Sequence, residues 1–203
     1  MSILRSKALT FIARDITNRL RFGRACPRSC ELIYVETSSI VALPLSWKKD
    51  MGGRIDSGLV VDTWKAKKSD YIPLERVVKI DQCIKRWKLG MPWEDTGALD
   101  FYKDKGLDLE RITRRHEILD SIFKKVKRDR KLTPKSQLRR INFREKGGIR
   151  INIGPSGEPV FVDDGTHRLA MALVAEIPVV PAQLGIVHIN ALNLLEEYRS
   201  NFL

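Results

Sequence analysis

The stretch PVFVDDGTHRLAMALV, residues 159–174, limits what this chain can fold into more than any other part of its sequence. Residues 160–162 are β-forming, Gly165 marks a turn, and Leu169 and Leu173 are one helical turn apart. This order predicts a short strand, a tight polar turn and a helix that begins directly after the turn.

Polar side chains cluster at the predicted start of that helix. A helix N-terminus presents unpaired N–H groups and a partial positive charge, so it favours phosphate, and His167 and Arg168 would add donors to the same anion. The alternative is that Asp164 or Thr166 only caps the helix and that Arg168 is solvated. Both interpretations are open on the spacing alone. The cluster consists of Asp163, Asp164, Thr166, His167 and Arg168.

The formal net charge of +12 is distributed unevenly over the 203 residues. Residues 1–102 carry +6, residues 103–150 carry +10 and residues 151–203 carry −4. A basic surplus in the middle of a chain is typical of contact with an anionic partner, and nucleic acid is the usual one. Basic helix faces are also common without any partner, so the charge leaves both explanations open.

Residues 1–30 are predicted to form an amphipathic helix ahead of the main domain, because apolar residues recur there every four positions. No apolar run is long enough to span a membrane, and Asp15 interrupts the basic N-terminus without a signal-peptide core after it. We therefore expect no integral membrane contact and a cytoplasmic location, with a transit peptide or a membrane-surface helix as the alternative. The predicted apolar face consists of Leu4, Ala8, Ile12, Ile16 and Leu20.

Cysteine usage agrees with a cytoplasmic location. Cys26, Cys30 and Cys83 are an odd number of thiols, and they lack the spacing of a zinc site. We therefore expect reduced thiols and no structural zinc.

Hydrophobic periodicity predicts the other elements. Helices are expected from residue 75 to Trp87, from Asp108 to the break at Pro134, over residues 136–143, and from a cap at Asn190 to Phe202. His116 lies on the apolar stripe of the long helix, where a buried structural role is favoured over a catalytic one. Strands are expected at residues 31–35, 59–61, 149–153, 159–162 and 179–187, the third and fourth forming a hairpin. The stripe of the long helix is Leu109, Ile112, His116, Leu119, Phe123 and Val126.

The last third of the chain resembles the ParB N-terminal and sulfiredoxin-like superfamily. The likeness covers residues 149–190 and depends on the hairpin, an aspartate–glycine turn, the sequence GTHR at a helix start and a following strand. It implies an α+β fold, a small mixed sheet with helices. The helix of residues 1–30 would precede a single domain of residues 31–203, with a basic helical insertion at about 75–146.

In that superfamily the turn and helix start hold nucleotide phosphates. The resemblance therefore implies a nucleotide such as ATP or CTP with Mg²⁺, and a protein that transfers or hydrolyses a phosphoryl group. Thr166 stands where sulfiredoxins have their reactive cysteine, so sulfinic-acid reduction is not expected. The implied phosphate-binding residues are Gly165, Thr166, His167 and Arg168, the candidate metal ligands are Asp163 and Asp164, and the candidate catalytic residues are Asp164, His167 and Arg168.

The general base for such a reaction is not identified by the sequence, and Glu94 and Asp62 are candidates only. The alternative function is a nucleic-acid-binding regulatory protein that uses the basic helices of residues 103–150. A nuclease is a third hypothesis, without a carboxylate–lysine or histidine-rich metal motif to favour it.

Overall fold

The computed structural model describes residues 2–100, 108–138 and 142–200. Helices combine with a mixed six-stranded sheet, which confirms the predicted α+β class. The strands are β1 (Leu32–Glu36), β2 (Val41–Ala42), β3 (Val60–Val61), β4 (Ile149–Ile153), β5 (Pro159–Phe161) and β6 (Val179–His188). The helices are α1 (Ser2–Phe22), α2 (Val78–Trp87), α3 (Leu109–Asp129), α4 (Lys135–Leu138), α5 (Thr166–Val174) and α6 (Leu195–Ser200).

The long strand β6 lies at the centre of the sheet. It pairs antiparallel with β1 and parallel with β4, while β3 pairs parallel with its last residues. β4 and β5 form the predicted antiparallel hairpin, with Ile151 opposite Phe161, and β2 pairs parallel with β5 at the edge. All five predicted strands are therefore present, and β2 was not predicted.

Helices cover one face of the sheet and an irregular segment covers the other. The three isoleucines of β4 share one hydrophobic core with residues of α2, α3 and α5. Arg150 and Asn152 alternate with them, and both donate hydrogen bonds to the carbonyl of Met51 in the irregular segment. Because Leu43, Met51 and Ala66 of the segments before and after β3 pack on this second face, the polar positions of β4 are as deeply buried as the apolar ones.

The predicted helical insertion contributes to the central core. Ile80 and Cys83 of α2 and Phe123 and Val126 of α3 belong to the same buried cluster as Leu169 of α5. The site described below is formed where these three helices meet the sheet.

Among the residues of the N-terminal helix whose burial is described, the predicted apolar face lies mostly on the side exposed to solvent. The helix itself is present, but Ile12, Ile16 and Leu20 are exposed, and the buried residues are Phe11 and Asn18. The polar Asn18 is buried because its side-chain amide donates to two backbone carbonyls. Tertiary hydrogen bonds, which periodicity cannot show, decided which side of α1 faces the protein.

Two helix boundaries also differ from the prediction. Asn190 does not cap the last helix: its N–H donates to Nδ1 of His188, and a 3₁₀ segment, Ile189–Leu194, precedes α6. The short helix expected over residues 136–143 is seen as α4, while residues 139–141 and Phe202 lie outside the described residues. Leu109, predicted to be on the buried stripe of α3, is exposed at the first turn of that helix.

Within residues 2–100, 108–138 and 142–200, no helix combines the length and the apolar character needed to cross a membrane.

Gly165 offers a test of how tightly α5 packs on the sheet. It has a φ of +85°, and an added Cβ would lie 2.6 Å from Cα of Ile149. We expect Gly165→Ala to lower the free energy of unfolding by at least about 2 kcal/mol, since the left-handed conformation and the backbone clash both oppose a side chain. Urea denaturation measures this loss.

The matched control is Gly147→Ala, because Gly147 has a φ of +82° but no atom within 4 Å of an added Cβ. For Gly147→Ala the free energy of unfolding should fall only by the cost of the left-handed backbone conformation, about 1 kcal/mol. Equal losses in the two variants would contradict the packing argument.

Candidate functional site

The turn between β5 and α5 has a left-handed backbone at two positions. Asp163 has a φ of 54° and Gly165 a φ of 85°. The space that a side chain at Gly165 would occupy is filled by the backbone of Gly148 and Ile149. The glycine is therefore required by the approach of α5 to β4, whether or not a ligand binds.

Asp164 forms the buried ion pair of this turn. Its Oδ2 is 2.8 Å from Nε of Arg150, whose side chain is only 1% exposed, and its Oδ1 is 3.0 Å from Nε of Arg54. The backbone carbonyl of Asp164 also accepts from the N–H of Arg150. Arg150 further donates to the carbonyl of Val162. These contacts tie the turn to β4 and hold Asp164 in a structural position.

Asp163, the neighbouring residue, lies at the cavity edge of the turn between two lysines. Its Oδ2 is 2.8 Å from Nζ of Lys48, and its Oδ1 is 3.5 Å from Nζ of Lys79. Burial alone would raise the pKa of the Asp163 carboxyl, but the hydrogen bond from Lys48 and the charge of Lys79 lower it below its usual value. Asp163 is therefore ionised at neutral pH and holds both ammonium groups beside the start of α5.

No side chain caps the N-terminus of α5. Gly165 is the N-cap residue, and the Thr166 hydroxyl donates back to the carbonyl of Asp163. The N–H of Arg168 already donates to the carbonyl of Gly165. The first N–H groups of a helix generally have no partner within it, so the start of α5 at Thr166 and His167 favours an anion. The predicted capping by Asp164 or Thr166 is thus not the arrangement that forms.

A cavity of about 410 Å³ lies beside this helix start. Its walls are mostly apolar, and its polar groups come from the turn, α2 and α3. Among the described residues that line the cavity, Asp163 is the acidic one, and Arg76 and Lys79 are the two cations. The lining residues are Leu43, Pro44, Leu45, Ile72, Arg76, Val77, Val78, Lys79, Gln82, Cys83, Trp93, Ala98, His116, Asp163 and His167.

Two histidines line the cavity, and their surroundings favour the neutral form of both. Burial, with the positive charges of Arg115 and Lys79 nearby, lowers the pKa of His167 from 6.5 to about 4. Burial also lowers the pKa of His116. Nδ1 of His116 donates to the carbonyl of Ile112, since a carbonyl oxygen can only accept. At neutral pH His167 is therefore neutral and does not contribute a positive charge.

The structure separates the predicted site residues into two groups. Asp163 and His167 line the cavity, whereas Asp164 and Gly165 shape the turn from behind. Arg168 is directed away from the cavity, because its Nη2 donates to the carbonyl of Thr133. Thr166 is buried and is not among the residues that line the cavity.

The two candidates for a general base lie elsewhere. Glu94 and Asp62 are exposed, and neither is among the residues that line the cavity. His116, expected to be structural, is indeed buried against the ring of Trp93 at 4.4 Å between centroids, yet it also lines the cavity.

Several residues of the site were missed in the sequence. Lys48, Arg76 and Lys79 lie far from the turn in the chain, and no motif surrounds them. The sequence signal at Lys79 was limited to its position on the polar face of a predicted amphipathic helix. Its contact with Asp163 arises because α2 packs against α5.

The carboxylates of the turn are a poor fit for a metal ion in this arrangement. Each oxygen of Asp163 contacts a lysine, and each oxygen of Asp164 contacts an arginine. Among the described residues, no three or more His, Cys, Asp or Glu side chains form a group that could hold a metal. The magnesium site at Asp163 and Asp164 stays a prediction, and no step proposed below depends on it.

The two adjacent aspartates can be compared directly. We expect Asp164→Asn to lower the free energy of unfolding by about 3–5 kcal/mol, because it leaves the buried Arg150 charge without its carboxylate. Asp163→Asn should cost less than about 1 kcal/mol, since Lys48 and Lys79 are solvated and asparagine tolerates the left-handed backbone.

Chemical denaturation at neutral pH measures both variants. A loss of similar size in the two would show that Asp164 does not have the structural position described here.

Comparison with known proteins returned no match to this chain, whether to a protein-family model, a curated protein or a solved structure. The resemblance to the ParB and sulfiredoxin-like superfamily therefore stays a prediction.

Proposed function

We propose that the cavity binds a nucleotide such as ATP or CTP, with its phosphates at the start of α5, and that the protein transfers or hydrolyses a phosphoryl group. One observation carries the proposal: an uncapped helix start with two lysines beside it opens onto a cavity with apolar walls. The sequence resemblance to a superfamily that holds phosphates at this turn supports it. A cytoplasmic location, where such nucleotides are abundant, belongs to the same proposal.

The charges around the turn suit a phosphate group. Lys48 and Lys79 are about half exposed and are held at the turn by Asp163. An incoming phosphate can bind their ammonium groups together with the N–H groups of α5, because charge-assisted hydrogen bonds to phosphate are stronger than neutral ones. Arg76 is a second cation of the cavity wall, beside Lys79.

The apolar part of the cavity suits a flat, mostly uncharged group such as a base. Its volume falls in the range typical of small-molecule sites, roughly 300–1,000 Å³. Leu43, Val77 and Trp93 contribute to its walls, and Gln82 offers an amide that can donate and accept hydrogen bonds. A nucleotide could thus place its base among the apolar residues and its phosphates at the lysines.

His167 is our proposed general base. Its imidazole is neutral at pH 7 and lines the cavity next to the phosphate position. It would take the proton from an acceptor hydroxyl or a water molecule as that oxygen attacks the γ-phosphorus. The bond to the bridging oxygen breaks, and the nucleoside diphosphate leaves with the bonding electron pair. Lys48 and Lys79 would stabilise the charge that develops on the phosphoryl oxygens.

In this proposal Asp164 and Arg168 have supporting roles. Asp164 fixes the turn through Arg150, and Arg168 fixes α5 through the carbonyl of Thr133. Both residues hold other parts of the site in place and do not contact the substrate.

Lys79→Ala tests the proposed phosphate site. We expect it to weaken ATP or CTP binding about tenfold, or about 1.4 kcal/mol, and to leave any binding of the nucleoside without phosphates unchanged. Isothermal titration calorimetry measures both affinities, and thermal-shift assays with and without Mg²⁺ show whether nucleotide protects the fold.

Lys85→Ala is the matched control, because Lys85 is on the same helix but forms an ion pair with Asp81 away from the cavity. The proposal fails if neither nucleotide protects the protein, or if Lys79→Ala and Lys85→Ala have equal effects.

A second candidate function, nucleic-acid binding, is favoured by the outer surface of α3. Exposed cations lie in the first and the last turns of this helix, on the sides that do not face the core. Neutralising phosphates with such cations releases counterions, which gives affinity without sequence selectivity. The exposed cations are Arg111, Arg114, Arg115, Lys124, Lys125, Lys127 and Arg128.

Charge reversal distinguishes this second function from the first. The triple variant Lys124→Glu, Lys125→Glu, Lys127→Glu should abolish binding to short fluorescent DNA or RNA and should leave nucleotide binding intact. Wild-type affinity should fall steeply with salt in fluorescence anisotropy. Nucleic-acid binding that is insensitive to these three charges would exclude α3 as the contact surface.

A further inference from the structure

The N-terminal helix α1 presents an apolar stripe to solvent. Leu9, Ile12, Ile16 and Leu20 are 66%, 47%, 57% and 82% exposed. Their spacing of three or four residues places them on one side of the helix. Isolated exposed apolar residues are ordinary, but a contiguous stripe on one helix indicates an interaction surface.

The stripe is held outward by contacts on the opposite side of α1. Phe11 stacks on Phe143 with 5.6 Å between ring centroids. The amide of Asn18 donates to the carbonyls of Pro27 and Gly58. Because these buried contacts fix the rotation of the helix about its axis, the stripe cannot turn inward without breaking them.

A groove of about 1,080 Å³ runs beside the stripe. Ile12, Ile16 and Leu20 form one wall, and Leu32 with Leu192 lies across from them. The groove therefore has apolar side chains on both walls, interspersed with charged ones, and it is open to solvent on one side.

The groove has a surplus of positive charge. Its carboxylates are already paired: Asp15 with Arg144 at 2.6 Å, and both Glu31 and Glu196 with Arg199 at 2.8 Å and 2.9 Å. In the described part of the chain, Arg19 and Arg24 line the groove without an acidic partner. An occupant would meet apolar walls and uncompensated positive charge.

We propose that this groove binds an acidic amphipathic helix of a partner protein. A helix laid in a groove buries an apolar face whose residues are three or four positions apart, and the stripe of α1 has the same spacing, so the two faces can pack side by side. Glutamate or aspartate on its flanks would pair with Arg19 and Arg24. A second copy of this chain fits poorly, because pairing α1 with α1 would bring arginines together, and a flat membrane surface would not fill a concave groove.

The test uses the full chain and a synthetic, fluorescein-labelled peptide of about five helical turns, with leucines on one face and glutamates on the other. Anisotropy should show saturable binding that weakens at least about tenfold in Ile16→Glu or Leu20→Glu, equivalent to about 1.4 kcal/mol. Arg24→Glu should weaken binding of this peptide and strengthen binding of the same peptide with lysines in place of glutamates.

Ile118→Glu is the matched control, since Ile118 is an isoleucine 54% exposed on α3, and it should bind like the wild type. Circular dichroism checks that each variant keeps its fold. Absence of binding, or equal binding of a scrambled peptide, overturns the proposal.

Two further results would also overturn it by assigning the surface to another occupant. The first is co-flotation with phosphatidylglycerol vesicles that Leu20→Glu abolishes and the peptide does not compete for. The second is a dimer in sedimentation velocity that Leu20→Glu dissociates.

Discussion

The buried ion pair between Arg150 and Asp164 organises the structure around the candidate site. It joins β4 to the turn that precedes α5, and Arg150 also donates to the carbonyls of Met51 and Val162. A charged guanidinium that is 1% exposed is tolerable only with these partners, because an unpaired buried charge is costly. This residue pair therefore links the turn before α5 and the segment over the second sheet face to β4.

The adjacent aspartates have different partners. Asp164 pairs with Arg150 of β4, while Asp163 pairs with Lys48 and Lys79 at the helix start. The left-handed backbone at Asp163 and Gly165 reverses the chain so that the two consecutive carboxylates face different surroundings. The uncapped start of α5 is in this way placed beside a cavity with apolar walls.

The surfaces outside this site point to separate interactions. The cations of α3 and the apolar stripe of α1 belong to different helices and do not share residues with the cavity lining described above. Nucleotide binding at the turn, contact with nucleic acid and docking of an acidic helix are therefore distinguishable by point variants.

The sequence by itself determined the strands, the hairpin, the helix start after Gly165 and the polar cluster in the turn, because these depend on local periodicity and turn chemistry. Only the tertiary structure decided that Arg168 faces Thr133, that Lys48 and Lys79 meet Asp163, and that the apolar stripe of α1 faces solvent. These outcomes depend on contacts between residues far apart in the chain. The direction of a side chain at such a contact is set by packing and hydrogen bonds, on which local sequence carries no information.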